Sequence, residues 1–150
     1  MSIYTEITTG PLAVELGPSV INHDFSTIAN ALNRKDIEVY GKLTVHDVKQ
    51  YISLLGLRLP MLDSTTLSCR EFNMALADFT ESGFDLSNPI ILGKITATLD
   101  AVVAEPLIPD FTETNKLTIL SFGKKMISRA EQLGLAINEN DISNAIHEVL

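Results

Sequence analysis

The starts of the helices constrain this chain more than any other feature of its sequence. At an α-helix start, a Ser, Thr or Asn cap accepts a hydrogen bond from a free backbone N–H. An acid three residues on answers to the cap's own N–H, and flanking apolar residues clamp the entry. The whole arrangement stands at Leu43-Thr44 with Asp47-Val48, at Leu67-Ser68 with Glu71-Phe72, and at Ile137-Asn138 with Asp141-Ile142. Ile127-Ser128 with Glu131 has the box, but Gln132 takes the place of the second apolar residue. Such signatures specify helices and carry no chemistry of their own.

Apolar spacing extends these starts into elements. Val45, Val48, Ile52 and Leu55 recur at helical intervals before Gly56, as do Phe72, Ala75, Leu76 and Phe79 before Gly83. Asn88-Pro89 reads as a cap and first residue for the stripe Ile91, Ile95, Leu99 and Val102. Asp110 or Thr112 caps a helix carrying Leu117, Ile119, Leu120, Phe122 and Met126. Glu131 to Leu133 form a short turn closed by Gly134, and Ile142, Ala145, Ile146 and Val149 form a last helix. An earlier helix runs over residues 24–33, and residues 37–43 alternate weakly, as a short extended segment would. The expected fold is all-α, a bundle of about six helices. Residues 23–150 make one helical domain. Residues 1–22, broken by Gly10-Pro11 and Gly17-Pro18, make an N-terminal arm with two kinks.

Charge narrows the partners. Against 19 acidic side chains stand 11 basic ones, a net charge of −8, and the basic residues are scattered. Phosphate backbones and anionic bilayers both call for clustered Lys and Arg, so nucleic acid and membrane insertion are disfavoured. The first residues lack a basic stretch followed by an apolar run, which a secretory signal needs. Synthesis in a cytoplasm is expected. One cysteine, Cys69, permits no intrachain disulfide and sits in the first turn of an expected helix.

No catalytic or metal-binding constellation is legible. His23, His46 and His147 each precede an acid, but neighbouring helix residues point apart, and no pair of them has metal-ligand spacing. Asp110-x-Thr112-x-Thr114 opens like a calcium loop, yet Asn115 and Ser121 occupy the positions that need Gly and Glu. Gly17-Pro18-Ser19 lacks the second glycine of a nucleophile elbow, and no phosphate-binding glycine loop precedes Gly93-Lys94. The expectation is a protein without catalytic, cofactor or metal residues, acting by contact. Ile3, Tyr4, Ile7, Leu12 and Val14 in the arm are the candidate partner-binding residues, and a mean hydropathy of +0.20 agrees with apolar surface that a partner covers.

The two ends of the chain carry a resemblance. Thr5-Glu6-Ile7-Thr8-Thr9-Gly10-Pro11-Leu12 stands near the start. Ser128-Arg129-Ala130-Glu131-Gln132-Leu133-Gly134-Leu135 stands near the end, followed by Asn140-Asp141-Ile142 and Ala145. Together they resemble a group of small tailed-bacteriophage proteins, mostly of unknown function. Members of that group open with E-L-T-x-D-P-L and close with S-R-A-E-x-L-G-L and a short x-D-V-x-x-A helix. Here Gly10 replaces the usual Asp, and Val14-Glu15-Leu16-Gly17 replaces a usual Gly-Tyr. The resemblance implies a virion or tail component made in a bacterial host, assembled in many copies with other phage structural proteins. The alternative is a small acidic phage regulator or assembly chaperone that the virion does not retain. Arg129 is the one member of the closing motif without an evident folding role, and it joins the candidate partner-binding residues, with an acid on a neighbouring helix as its other possible partner.

Overall fold

Ser2 caps the first helix by accepting from the Thr5 N–H, and residues expected to form a kinked arm are helical from that point. The structure is a computed structural model describing residues 2–149. In chain order its elements are α1 (Ile3–Thr9), α2 (Ala13–Ile21), α3 (Phe25–Asn33), β1 (Ile37–Tyr40), β2 (Lys42–Leu43), α4 (Val45–Leu54), α5 (Arg58–Asp63), α6 (Leu67–Asp78), β3 (Phe84–Asp85), α7 (Pro89–Val103), α8 (Glu113–Ser121), β4 (Lys124–Ile127), α9 (Arg129–Gln132) and α10 (Glu139–Val149). The protein is mainly helical, as the sequence implies. The described residues form ten helices where about six were expected, and two small two-stranded sheets, β1–β4 and β2–β3, are added.

The chain divides into two compact units, and this differs from an arm followed by one domain. A terminal unit joins the residues up to Glu38 with those from Met126 onward, and a middle unit holds Val39–Lys125. In the terminal unit, α1, α2 and α3 meet α9 and α10 around Ile7, Leu16, Ile28, Leu32, Ile142 and Ile146. The Gly10-Pro11 pair does separate α1 from α2. Pro18 does not break α2. It forfeits only the bond to the Val14 carbonyl, on the face where Val14 is 94% exposed and water can take the proline's place. His23 turns the chain from α2 into α3 at φ +55°, and Asp24 caps α3 through Thr27. The boxes at Ser128–Glu131 and Asn138–Asp141 are both reciprocal, as their spacing predicts.

The middle unit is built on α4, α6, α7 and α8 around Val48, Ile52, Met61, Phe72, Leu99 and Phe111. Lys116 ties α8 to α7 by its ion pair with Asp100 and reaches Glu113 at 3.1 Å. The antiparallel pair β2–β3 sets Lys42 opposite Asp85 and Leu43 opposite Phe84. It brings backbone so close that side chains are barred at its edge. A Cβ on Gly83, already at φ +64°, would lie 2.7 Å from the Leu43 carbonyl oxygen, and one on Gly123 would lie 2.5 Å from Leu86 Cδ1.

Two local expectations are corrected. The cap of α6 is Thr66, without a side-chain cap bond, and Ser68 lies inside the helix, where its hydroxyl donates to Glu105 Oε2 at 3.1 Å. Leu67 is consequently 70% exposed and clamps nothing. Met126 belongs to β4, because the tight approach at Gly123 ends the helix before it. Of the two candidate caps for α8, Thr112 is the one that serves, and Asn115 answers it in a reciprocal box.

Two glycine substitutions separate backbone constraint from propensity. Gly83→Ala should destabilise by about 1–3 kcal/mol through its left-handed backbone and the Leu43 carbonyl. Gly17→Ala, where an added methyl meets nothing within 4 Å, should gain about 0.5–1 kcal/mol in α2. Urea denaturation of both variants reads the difference.

A second expectation concerns acid. Hydrogen bonds from Arg34, Thr27 and Ser87 hold the carboxyls of Glu15, Asp24 and Asp85 below their ordinary values. The folded state therefore binds fewer protons than the unfolded chain. The resulting stability is complete at neutral pH and should drain away as pH falls below about 4, through the depressed folded-state values. Denaturation midpoints taken across that range measure the loss.

Candidate interaction surfaces

The closing motif's arginine has an intrachain partner. Arg129 Nε donates to Glu6 Oε1 at 2.5 Å and Nη2 to Glu6 Oε2 at 3.0 Å, a two-pronged guanidinium–carboxylate pair. Nη1 is held in turn by Gln132 Oε1 at 2.7 Å. Glu6 is only 2% exposed. The Glu6 hydrogen bonds raise the pKa of Arg129 above its ordinary value, so the guanidinium stays charged. Gly10 completes the arrangement. A Cβ there would overlap the Glu6 carbonyl and lie 2.5 Å from its Oε1.

The other candidate residues divide by exposure. Ile7 is in the core at 1% exposed, and Ile3, Tyr4 and Leu12 are half-buried against that same core. Val14 alone stands fully in solvent. The apolar residues of the expected arm are therefore largely used in folding the terminal unit, with the outer edges of Ile3 and Tyr4 left accessible.

Histidines that the sequence separates are partly brought together. His23 stacks on Phe25 with ring centres 5.8 Å apart, and His147 meets the His23 ring edge-on at 6.2 Å. His147 Nδ1 is engaged by the Ser143 carbonyl at 2.7 Å. Among the described residues, no group of three or more His, Cys, Asp or Glu side chains is placed to hold a metal ion. Cys69 is buried in α6. No helix among the described residues is long and apolar enough to cross a membrane.

Grooves open on both units. On the middle unit, a cleft of about 350 Å³ runs between α6 and α7, floored by Ala75, Phe84, Ile91 and Ile95. Phe79 and Ile90 stand on its rim at 45% and 71% exposed, and Lys94 is its one charged lining residue. A second cleft on this unit, of about 270 Å³, lies among Asp47, Tyr51, Leu54 and Phe122. On the terminal unit, a groove of about 280 Å³ lies between α1 and α10.

Comparison with protein-family models, with curated proteins and with solved structures finds no match for this chain. Functional reading therefore rests on the residues themselves. Sequence reasoning missed Glu6, although a signal was present: Glu6 lies in the opening stretch of the resemblance and Arg129 in the closing one, two opposite charges among otherwise fold-specifying residues.

The buried pair should behave as a unit. Removing one member strands the other charge, so Arg129→Ala and Glu6→Ala should each cost about 3–5 kcal/mol. The double variant should cost well under their sum. Chemical denaturation of the four proteins measures the coupling, and additive losses would show that the two side chains act independently.

Proposed function

We propose that this chain is a non-enzymatic structural subunit of a tailed bacteriophage. It acts in a tail, baseplate, connector or fibre-associated position through contacts with other structural proteins, in many copies, and resides in the virion after synthesis in the host cytoplasm. The observation that carries the contact reading is the apolar rim of the α6/α7 cleft. Phe79 and Ile90 keep large side chains in water beside an apolar floor, an arrangement stabilised when a partner covers it.

The resemblance at the chain ends supports the phage assignment. The two resembling stretches are tied to one another by Glu6 and Arg129 in the terminal unit.

A second reading, a regulator or assembly chaperone absent from the mature particle, draws on charge. The terminal unit carries nine acidic and three basic side chains. Such a surface suits a transient basic partner.

Mass spectrometry of purified particles distinguishes the two. The structural reading expects the chain in fixed stoichiometry with the tail proteins, and absence from the particles contradicts it. Ile90→Asp, a change at a side chain already 71% exposed, should leave the circular dichroism spectrum unchanged and lower incorporation into particles. Unimpaired incorporation would remove the α6/α7 cleft from the contact surface.

A further inference from the structure

The groove between α1 and α10 differs from the other two in its charge. Its apolar part comes from Ile3 and Tyr4 on α1 and from Ala145 and Val149 on α10, with Val149 55% exposed. Its walls carry Asp141 and Glu148. These two lie seven residues apart on one helix, hence on the same side and about 10 Å from one another along the axis. That separation is too wide for both carboxylates to grip one metal ion, whose oxygen ligands lie within about 2.6 Å of it.

Among the side chains of the described residues, the groove's negative charge has no basic partner. The terminal unit has three basic side chains, and each is engaged elsewhere: Arg34 by Glu15 and Asp36, Lys35 by Glu131, and Arg129 by Glu6. Asp141 accepts only from the Asn138 backbone N–H, and Glu148 has no ion pair or hydrogen bond among the described residues. The unit's balance is −6, against −2 for the middle unit, so most of the chain's net negative charge lies on the unit that carries this groove. Like charge repels nucleic acid, an anionic bilayer and a second copy of this acidic chain alike. An occupant has to supply positive charge at two points and apolar surface between them.

We infer that the α1/α10 groove docks a basic amphipathic helix of a different protein. Two Lys or Arg side chains of that helix, about two turns apart, pair with Asp141 and Glu148. An apolar side chain between them rests on Ile3, Tyr4, Ala145 and Val149. Pairing at both ends fixes the register of the incoming helix, and the charge of the unit steers its approach. The inference rests on the reading that the chain works through protein contacts, and it names the chemistry of one such partner.

The test uses the full chain, isotopically labelled, and three synthetic capped peptides with one helical apolar framework. The first carries lysines seven residues apart, the second carries glutamates at those positions, and the third carries the lysines side by side. The lysine-spaced peptide should shift amide resonances of α1 and α10 selectively and lose affinity as salt is added. The glutamate peptide should not bind, and the side-by-side peptide should bind more weakly. Glu148→Lys places a cation in the last turn of α10, where the helix tolerates it. This variant should weaken the lysine-spaced peptide about fivefold or more and admit the glutamate peptide.

No shifts, shifts centred on the middle unit, or equal binding of the two lysine peptides would overturn the inference. So would indifference to Glu148→Lys, or self-association in place of peptide binding. Any of these results leaves the presence of the chain in particles untouched, so the two readings fail separately.

Discussion

One buried ion pair ties the two sequence-distant halves of the terminal unit together. Glu6 and Arg129 are 123 residues apart in sequence, and their bonding joins α1 to α9, the two halves of a unit that the middle of the chain interrupts. Withdrawing a carboxylate from water is expensive unless its lone pairs are met. Here both oxygens accept from one guanidinium, which also donates from Nη1 to Gln132. Gly10 leaves the room, and the Ser128–Glu131 box fixes the turn on which Arg129 is displayed. The motif at each end of the chain is thus half of a single physical device. An apolar pair could hold the same helices. A charged pair also discriminates, because any register that misaligns α1 leaves a buried charge alone.

The middle unit solves a different problem. Its four main helices are linked by short segments, and β2–β3 supplies a flat edge where backbone meets backbone at Gly83, Gly41 and Gly123. The Gly41 N–H donates to the Gly123 carbonyl at 2.6 Å, and the Gly41 carbonyl accepts from Leu86 at 2.9 Å. Closing that edge turns Phe84 and Leu86 inward, and leaves Phe79 and Ile90 as the outer rim of the α6/α7 cleft. The α6/α7 cleft and the α1/α10 groove differ in charge. One is apolar with a single cation, and the other is walled by carboxylates, so they suit partners of different chemistry.

Helix starts were legible in the sequence wherever the cap chemistry is local. Thr44, Asn88, Ser128 and Asn138 cap as their neighbours imply, and Gly56, Gly83 and Gly134 take the positive φ that ends a helix or turn. What escaped is what long-range packing decides. Ser68 has the right neighbours for a cap, but its hydroxyl is claimed by Glu105, 37 residues away. Gly17-Pro18 reads as a break, yet α2 continues because Leu16 is anchored in the core and the lost bond faces water. The short α5 has no side-chain cap and contains Pro60, so nothing local announces it. The partner-binding candidates in the expected arm were identified by apolar content alone. Periodicity cannot say whether an apolar face meets its own core or another molecule, and for Ile7 the core claimed it while Val14 was left outside.

The first helix belongs to one cooperative unit with the last. Hydrogen–deuterium exchange at single-amide resolution tests it directly. The interior amides of α1, α3 and α10 should open with a common free energy, and Arg129→Ala should lower protection in all of them together. Rapid exchange throughout α1 beside full protection in α10, unchanged by that substitution, would contradict the claim.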